Sequence, residues 1–266
     1  MRKSSPIAIS SYIAEEDKAT HYLEVPFRSF NLALVDNVSA EYSFVTEFFS
    51  SKSFHHVSRT VAEIFEPVFN LGQSITKQLV EGTFDCLGVL LCVRLNQQFA
   101  FELQRRKVPV VDSYINGTNM LLWPRFQQIM DAHYESLKRV SASSRTATSA
   151  LSLTGIDSSK QSSAPHFLTQ RFGQFLHGIL VLSSEAGDDE PISNSLARLR
   201  NEFDALLSKL SKGMGDARKK ERFIFNNYSL IQTIISVRLP LSRRWRIRAN
   251  ETDRIQLENL RRNRKL

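Results

Sequence analysis

The amino-acid sequence predicts an all-α protein made of several packed helices. Apolar residues recur at spacings of three and four along most of the 266 residues, as they do on one face of a helix. No alternating apolar pattern is long enough to indicate a β-strand. Gly (10) and Pro (8) are too few for an all-β fold with many tight turns, and a hydrophobic content of 42% is enough for a helical core.

The N-terminal segment, residues 1–35, is predicted to be irregular because Pro6, Pro26 and several Ser interrupt any long element. Helical periodicity begins at Asp36, which can cap a helix. The apolar face of this first helix comprises Val38, Tyr42, Val45 and Phe49.

A helical block is predicted over residues 36–140, and its second helical stretch covers residues 54–83. Pro67 lacks a backbone N–H donor, and glycine at position 72 destabilises the interior of a helix. The two residues are therefore expected to divide this stretch.

Residues 84–106 are predicted to form a central buried helix, since Cys86–Leu95 is apolar nearly all round. Its stripe comprises Phe84, Leu87, Leu91 and Leu95, and Arg105, Arg106 and Lys107 suit the negative end of its dipole. After Pro109 another stripe follows, and Pro124 inside it predicts a kink or a short break. This stripe comprises Val111, Ile115, Leu122, Phe126, Ile129 and Leu137.

Residues 141–165 are predicted to form a flexible loop, because nine Ser and three Thr leave few apolar side chains to offset the ordering entropy. A second helical block is predicted over residues 166–237. One helix in it has apolar residues spaced 4-3-4-3-4, which favours bundle packing, and Asp216 can cap the helix that follows. The spaced residues are Ile192, Leu196, Leu199, Phe203, Leu206 and Leu210.

The positive charge of the chain is concentrated in the C-terminal segment, residues 238–266, which carries +7 of the net +8. A nucleic-acid surface over the whole protein is therefore not expected. The segment Arg243–Arg248 interleaves Trp245 with Arg, so binding of nucleic acid or of an anionic membrane through this tail is the alternative function. The basic residues Arg218–Arg222 are interpreted as a solvated helix face rather than a phosphate site.

The sequence contains no motif of a known catalytic or cofactor site. Phosphate loops, dinucleotide fingerprints, zinc-protease His pairs and nucleophile elbows are all absent. His55 and His56 are adjacent and so point in different directions on a helix. Cys86 and Cys92 lie in an apolar helix and are interpreted as buried free thiols. We therefore expect no enzyme activity, no cofactor, no metal and no small-molecule substrate.

Four segments in order resemble one protein family. They are Pro26–Phe49, Leu121–Phe126, Pro165–Phe172 and Arg222–Tyr228. Together they resemble the C-terminal region of the vacuolar protein sorting-associated protein fifty-two family, the Sac-two-like subunits of the GARP vesicle-tethering complex. The resemblance covers roughly residues 26–235.

The resemblance implies an elongated helical rod of the multisubunit-tether type, with no catalytic role. It implies retrograde transport from endosomes to the Golgi, and peripheral association with the cytosolic face of the trans-Golgi network and endosomes. Other tethering-complex subunits are the expected partners, with small GTPases or SNAREs as further candidates.

Two departures from the family pattern lead to further expectations. The family carries an N-terminal coiled coil, whereas this sequence has no sustained heptads, so a truncated family member is expected. The tail 238–266 shows no likeness to the family in its motifs, and an altered gene model is our hypothesis for it.

The candidate site residues lie within two of the motifs. Their role is either contact with a partner or packing of the helices, and helical spacing of large aromatic residues favours packing. They are Trp123, Pro124, Arg125, Phe126, Asn226, Asn227 and Tyr228.

Overall fold

The structure is a computed structural model that describes residues 22–49, 54–142, 163–183, 192–212, 214 and 216–238. These residues form seven α-helices and one 3-10 turn at Pro109–Val111, and no β-strand occurs among them, which confirms the all-α prediction. The helices are α1 Glu24–Phe48, α2 Phe54–Val80, α3 Cys86–Arg106, α4 Asp112–Ala142, α5 Phe167–Leu182, α6 Ile192–Lys212 and α7 Ala217–Arg238. Within the described part of the chain, no helix is both long and apolar enough to cross a membrane.

The chain divides into two compact units, Met1–Phe126 and Gln127–Leu266. This division falls inside α4, whereas the predicted boundary was the Ser-rich segment 141–165. Of that segment, residues 143–162 lie outside the described residues, as do residues 1–21 and the tail from residue 239. The predicted loop, the irregular structure predicted for residues 1–21 and the tail therefore stay predictions.

In the first unit, helix α1 begins at Glu24, twelve residues before the predicted start at Asp36, so the irregular structure predicted for residues 24–35 was wrong. Pro26 did not interrupt it, because a proline in the first turn of a helix removes no hydrogen bond that the helix would make. Asp36 lies in mid-helix, and its carboxylate pairs with the Arg106 guanidinium at 2.9 Å.

Helix α2 runs unbroken through Pro67 and Gly72, so the predicted division of residues 54–83 was wrong. Pro67 is exposed, and water can bind the carbonyl that lacks its usual donor. Gly72 is buried where α2 packs against Phe30 of α1 and Tyr114 of α4. Close approach of these neighbours accounts for a residue without a side chain at this position.

We expect Gly72→Ala to destabilise the protein by about 1–3 kcal/mol, although alanine favours a helix. A Cβ atom here would lie 2.6 Å from Phe30 Cε1 and 2.5 Å from Tyr114 Oη. Urea denaturation measures the change. Gly117→Ala is the matched control, since its Cβ would meet only the movable amide end of Gln73. An equal loss in both variants would contradict the close-approach explanation.

Helix α3 is the buried centre of the first unit, as predicted, but its buried face differs from the predicted stripe. Phe84 precedes the helix and is 71% exposed, because the helix begins only after Asp85, whose carboxylate accepts from the Gly88 backbone N–H at 3.0 Å. The buried residues are Cys86, Gly88, Val89, Leu90, Cys92, Val93, Asn96, Phe99 and Leu103.

Helix α4 contains Pro124 without the predicted break. The proline removes the donor for the carbonyl of Met120, four residues earlier. Both residues are exposed, so water can replace the missing hydrogen bond and the helix continues.

In the second unit, the predicted spacing of α6 is confirmed in its essentials. Ile192, Leu199, Phe203 and Leu206 are buried, and Ser195 and Leu207 join them. The rings of Phe203 and Phe172 stack with centroids 4.1 Å apart, which packs α6 against α5. The core cluster consists of Phe203, Leu207, Met214 and Phe223.

The predicted cap at the start of α7 is also present. The Asp216 carboxylate accepts from the Arg218 backbone N–H at 3.0 Å. Along α7, Phe223 is buried, while Ile231 is partly buried against the core cluster.

Candidate functional site

The first candidate motif, Trp123–Phe126, lies in the first unit and is largely structural. Phe126 is fully buried, and its ring meets the half-buried Trp123 ring edge-on at 5.8 Å between centroids. Pro124 is exposed and contributes no packing of this kind. The packing interpretation therefore holds for Phe126 and in part for Trp123.

Arg125 connects α4 to the turn between α2 and α3. Its Nη2 donates to the carbonyl oxygen of Thr83 at 2.5 Å, and its guanidinium lies 5.9 Å from the centroid of the Phe84 ring. A charge-assisted hydrogen bond to a turn carbonyl fixes the turn, because the carbonyl has no helical partner there. Arg125 therefore holds the turn between α2 and α3 against α4 within the first unit.

The second motif contains Asn227, the most connected polar side chain in the described part of the second unit. This residue is fully buried in α7, and its Nδ2 donates to the carbonyl oxygen of Phe223 at 2.7 Å. Its Oδ1 accepts from the Thr169 hydroxyl at 2.5 Å and from the His166 backbone N–H at 2.8 Å. One amide thus satisfies donors at the start of α5, where the first backbone N–H groups lack helical partners.

His166 caps α5 in the same network. Its Nδ1 accepts from the Leu168 backbone N–H at 3.3 Å. Burial lowers the pKa of the imidazole, so the ring stays neutral at pH 7 and keeps the lone pair that this hydrogen bond needs.

Asn226 and Tyr228 extend these connections on either side of Asn227. Asn226 Nδ2 donates to the carbonyl oxygen of Ser163 at 2.7 Å, and the Tyr228 hydroxyl donates to Asp204 Oδ1 at 2.8 Å. Burial raises the pKa of the Asp204 carboxyl. The motif therefore joins α7 to α6 and to the chain that leads into α5.

Apolar periodicity did not predict several polar connections in the first unit. The Tyr114 hydroxyl donates to Asn31 Oδ1 at 2.8 Å, and burial raises the pKa of Tyr114 to about 12. Asn96 Nδ2 donates to the carbonyl oxygen of Ile115 and to Asn119 Oδ1. Apolar periodicity does not reveal such pairs, although polar residues inside an apolar face were a clue.

Arg106 forms a surface network at the end of α3. Besides Asp36, it contacts Glu102, and the two arginines Arg105 and Arg106 lower the pKa of Glu102 to about 2 through their hydrogen bonds. These side chains are partly exposed, so the network adds modestly to stability.

The remaining candidate residues from the sequence are the two adjacent histidines and the basic residues of α7. His55 and His56 are exposed. In the described ranges no group of three His, Cys, Asp or Glu side chains could hold a metal ion. Arg218, Lys219 and Arg222 are exposed along α7, in agreement with a solvated face.

Cys86 and Cys92 are buried free thiols, as predicted, and burial raises the pKa of each to about 12. We expect both to react with Ellman's reagent at pH 8 at least about 100-fold more slowly in the folded protein than in guanidinium chloride, because thiolate is the reactive form. Absorbance at the released thiolate measures the rate. Rapid reaction of either thiol before unfolding would contradict the buried placement.

Comparison with known proteins gives one family. The family described as "Vps52, C-terminal" matches residues 2–253. This range exceeds the motif resemblance at both ends, so the expectation that the tail 238–266 shows no likeness to the family was wrong for residues 238–253. No solved structure matches the chain.

Curated relatives match over most of this chain but a smaller part of their own length. The chain is 37% identical over 226 residues to Vacuolar protein sorting-associated protein 52 of Saccharomyces cerevisiae, covering 82% of this chain and 35% of that protein. For the protein of the same name from Schizosaccharomyces pombe the identity is 32% over 220 residues, covering 83% and 41%. A relative from Arabidopsis thaliana, Vacuolar protein sorting-associated protein 52 A, is 28% identical over 228 residues, covering 86% and 29%.

Proposed function

This chain belongs to the family described as Vps52, C-terminal, and we propose that it is a non-catalytic subunit, or part of one, of a GARP-like vesicle-tethering complex. The proposed process is retrograde transport from endosomes to the Golgi. The observation that carries the proposal is the family match over residues 2–253.

The arrangement of polar groups supports a binding role rather than a catalytic one. Two motif side chains, Arg125 and Asn227, join helices to a turn and to a helix start. We expect helices held in this way to present their exposed faces to protein partners.

The proposed partners are the other subunits of the tethering complex, with small GTPases or SNAREs as further candidates. The proposed location is the cytosolic face of the trans-Golgi network and endosomes, as a peripheral membrane protein. These proposals rest on the family resemblance, and the names of the relatives support a role in vacuolar protein sorting.

A chimera tests the proposal. The region of the S. cerevisiae relative that aligns with this chain is replaced by the full 266-residue chain, and the product is expressed in yeast lacking that relative. We expect recovery of vacuolar hydrolase sorting and co-purification of other sorting subunits.

Two further chimeras serve as controls. One carries the aligned region of the S. pombe relative as the positive control, and the other carries an unrelated helical bundle. A chimera of this chain that is as abundant as the positive control but recovers no sorting subunit would overturn the proposal.

A further inference from the structure

Five exposed apolar side chains lie along the antiparallel pair α1 and α2, and we call them the α1–α2 seam. Their exposed fractions are 58% for Phe44, 69% for Phe48, 51% for Ile64, 36% for Val68 and 54% for Leu71. Single exposed apolar residues are common, but several large ones along one pair of helices indicate an interaction site.

The α1 members of the seam lie on the same side of α1 as Phe30. Phe30 marks this side, since it approaches Gly72 of α2. Phe48 follows Phe30 by eighteen residues, which is five helical turns, and Phe44 follows it by nearly four turns. The Phe44 and Phe48 rings stack with centroids 5.8 Å apart, so they form one aromatic surface.

The α2 members lie on the matching side of α2. Val68 precedes Gly72 by one turn, and Ile64 precedes it by two. Leu71 and Val68 are three residues apart and are neighbours on the helix surface. The exposed residues of both helices therefore border the same line of helix contact.

The charge around the seam is negative, although the whole chain is positive. The sequence from Asp36 to Leu71 carries five acidic and two basic residues, and Arg106, which pairs with Asp36, brings the net charge to −2, against +8 for the chain. Glu41 and Glu47 lie three residues before and after Phe44, so they flank the aromatic surface on α1.

This charge discriminates between possible occupants. A second copy would bring the same acids against the seam, and an anionic membrane would likewise be repelled. A helix with an apolar stripe and flanking Lys or Arg would be attracted and would bury the apolar side chains.

We propose that the α1–α2 seam binds an amphipathic, basic-flanked helix of a partner protein. The helix would lay its apolar stripe, with residues at spacings of three and four, along Phe44, Phe48, Ile64, Val68 and Leu71. The proposal deepens the proposed function, because it names the partner chemistry of a subunit surface. The seam proposal is tested with purified components. A negative result there can therefore be distinguished from a negative result of the chimera experiment.

The test measures fluorescence anisotropy of two labelled helical peptides of about five turns titrated with the full chain. Both have the same leucine stripe, flanked by Lys in one and by Glu in the other. We expect the Lys peptide to bind, and Val68→Ser with Leu71→Ser to weaken its binding at least about tenfold. Phe101→Ser with Met120→Ser is the matched control, since these side chains are 71% and 77% exposed outside the seam.

Charge reversal tests the electrostatic part. Glu47→Lys is expected to lower the affinity for the Lys peptide about threefold or more. Glu81 is exposed and lies outside the seam, so Glu81→Lys is expected to leave that affinity unchanged. Equal effects of seam and control variants, or no binding of the Lys peptide, would overturn the proposal.

Two other results would also overturn it in favour of other occupants. One is self-association of the full chain, measured by sedimentation velocity, that the Val68→Ser and Leu71→Ser changes abolish. The other is binding to phosphatidylserine vesicles that the same changes abolish while the control changes do not.

Discussion

Asn227→Ala is expected to lower the free energy of unfolding of the second unit by about 3 kcal/mol. The change removes the acceptor of the Thr169 hydroxyl and of the His166 backbone N–H, and the donor to the carbonyl of Phe223. Each buried polar group left without a partner costs about 1–3 kcal/mol. Water that enters the space recovers part of this loss, which sets the expected value below the sum.

Two measurements check the result. Urea denaturation gives the change in stability, and amide hydrogen exchange shows where it occurs. We expect the largest increase in exchange rate at the first turn of α5, around Leu168 and Thr169, because that turn loses its hydrogen bonds to Asn227.

Asn226→Ala is the control for Asn227→Ala. It removes one hydrogen bond, to the carbonyl of Ser163, from a half-buried position, so about 1 kcal/mol is expected. Similar losses in both variants, or unchanged exchange in α5, would show that Asn227 does not hold the start of that helix.

Phe126→Ala is expected to destabilise the first unit by about 3–5 kcal/mol. The side chain is fully buried and meets the Trp123 ring edge-on, so its removal loses both transfer free energy and packing contacts. Thermal and urea denaturation followed by circular dichroism measure the loss. If Phe126→Ala instead reduced co-purification of other sorting subunits and left stability unchanged, Phe126 would be an interface residue.

Phe101→Ala provides the comparison for Phe126→Ala. Phe101 is a phenylalanine of the same unit that is mostly exposed, so its truncation is expected to change stability by less than about 0.5 kcal/mol. A loss at Phe101 as large as that at Phe126 would contradict the burial on which the prediction rests.

The sequence predicted most of the helices because their stability depends on apolar periodicity, which is local. The buried face of α6 illustrates this, since four of its six spaced residues are buried. The start of α1 was missed because Pro26 was interpreted as a breaker, and only its position within the first turn makes it compatible with the helix. The predicted breaks at Pro67 and Pro124 were wrong for a related reason. Solvent exposure decides how much a missing backbone hydrogen bond destabilises a helix, and both prolines are exposed.

The candidate residues show the same limit. The motifs identified Arg125 and Asn227, but the sequence left open whether they contact partners or pack the helices. Their acceptors and donors, Thr83, His166 and Thr169, are distant in sequence, so no local pattern relates them.

The sequence by itself determined the all-α class, the buried thiols and the family, because periodicity, composition and ordered motifs are properties of the chain. Only the tertiary structure decided that Asn227 anchors the start of α5 and that Phe44, Phe48 and Val68 share one exposed seam. The physical reason is that a helical period specifies which residues share a face. Whether that face is covered depends on which helix packs against it.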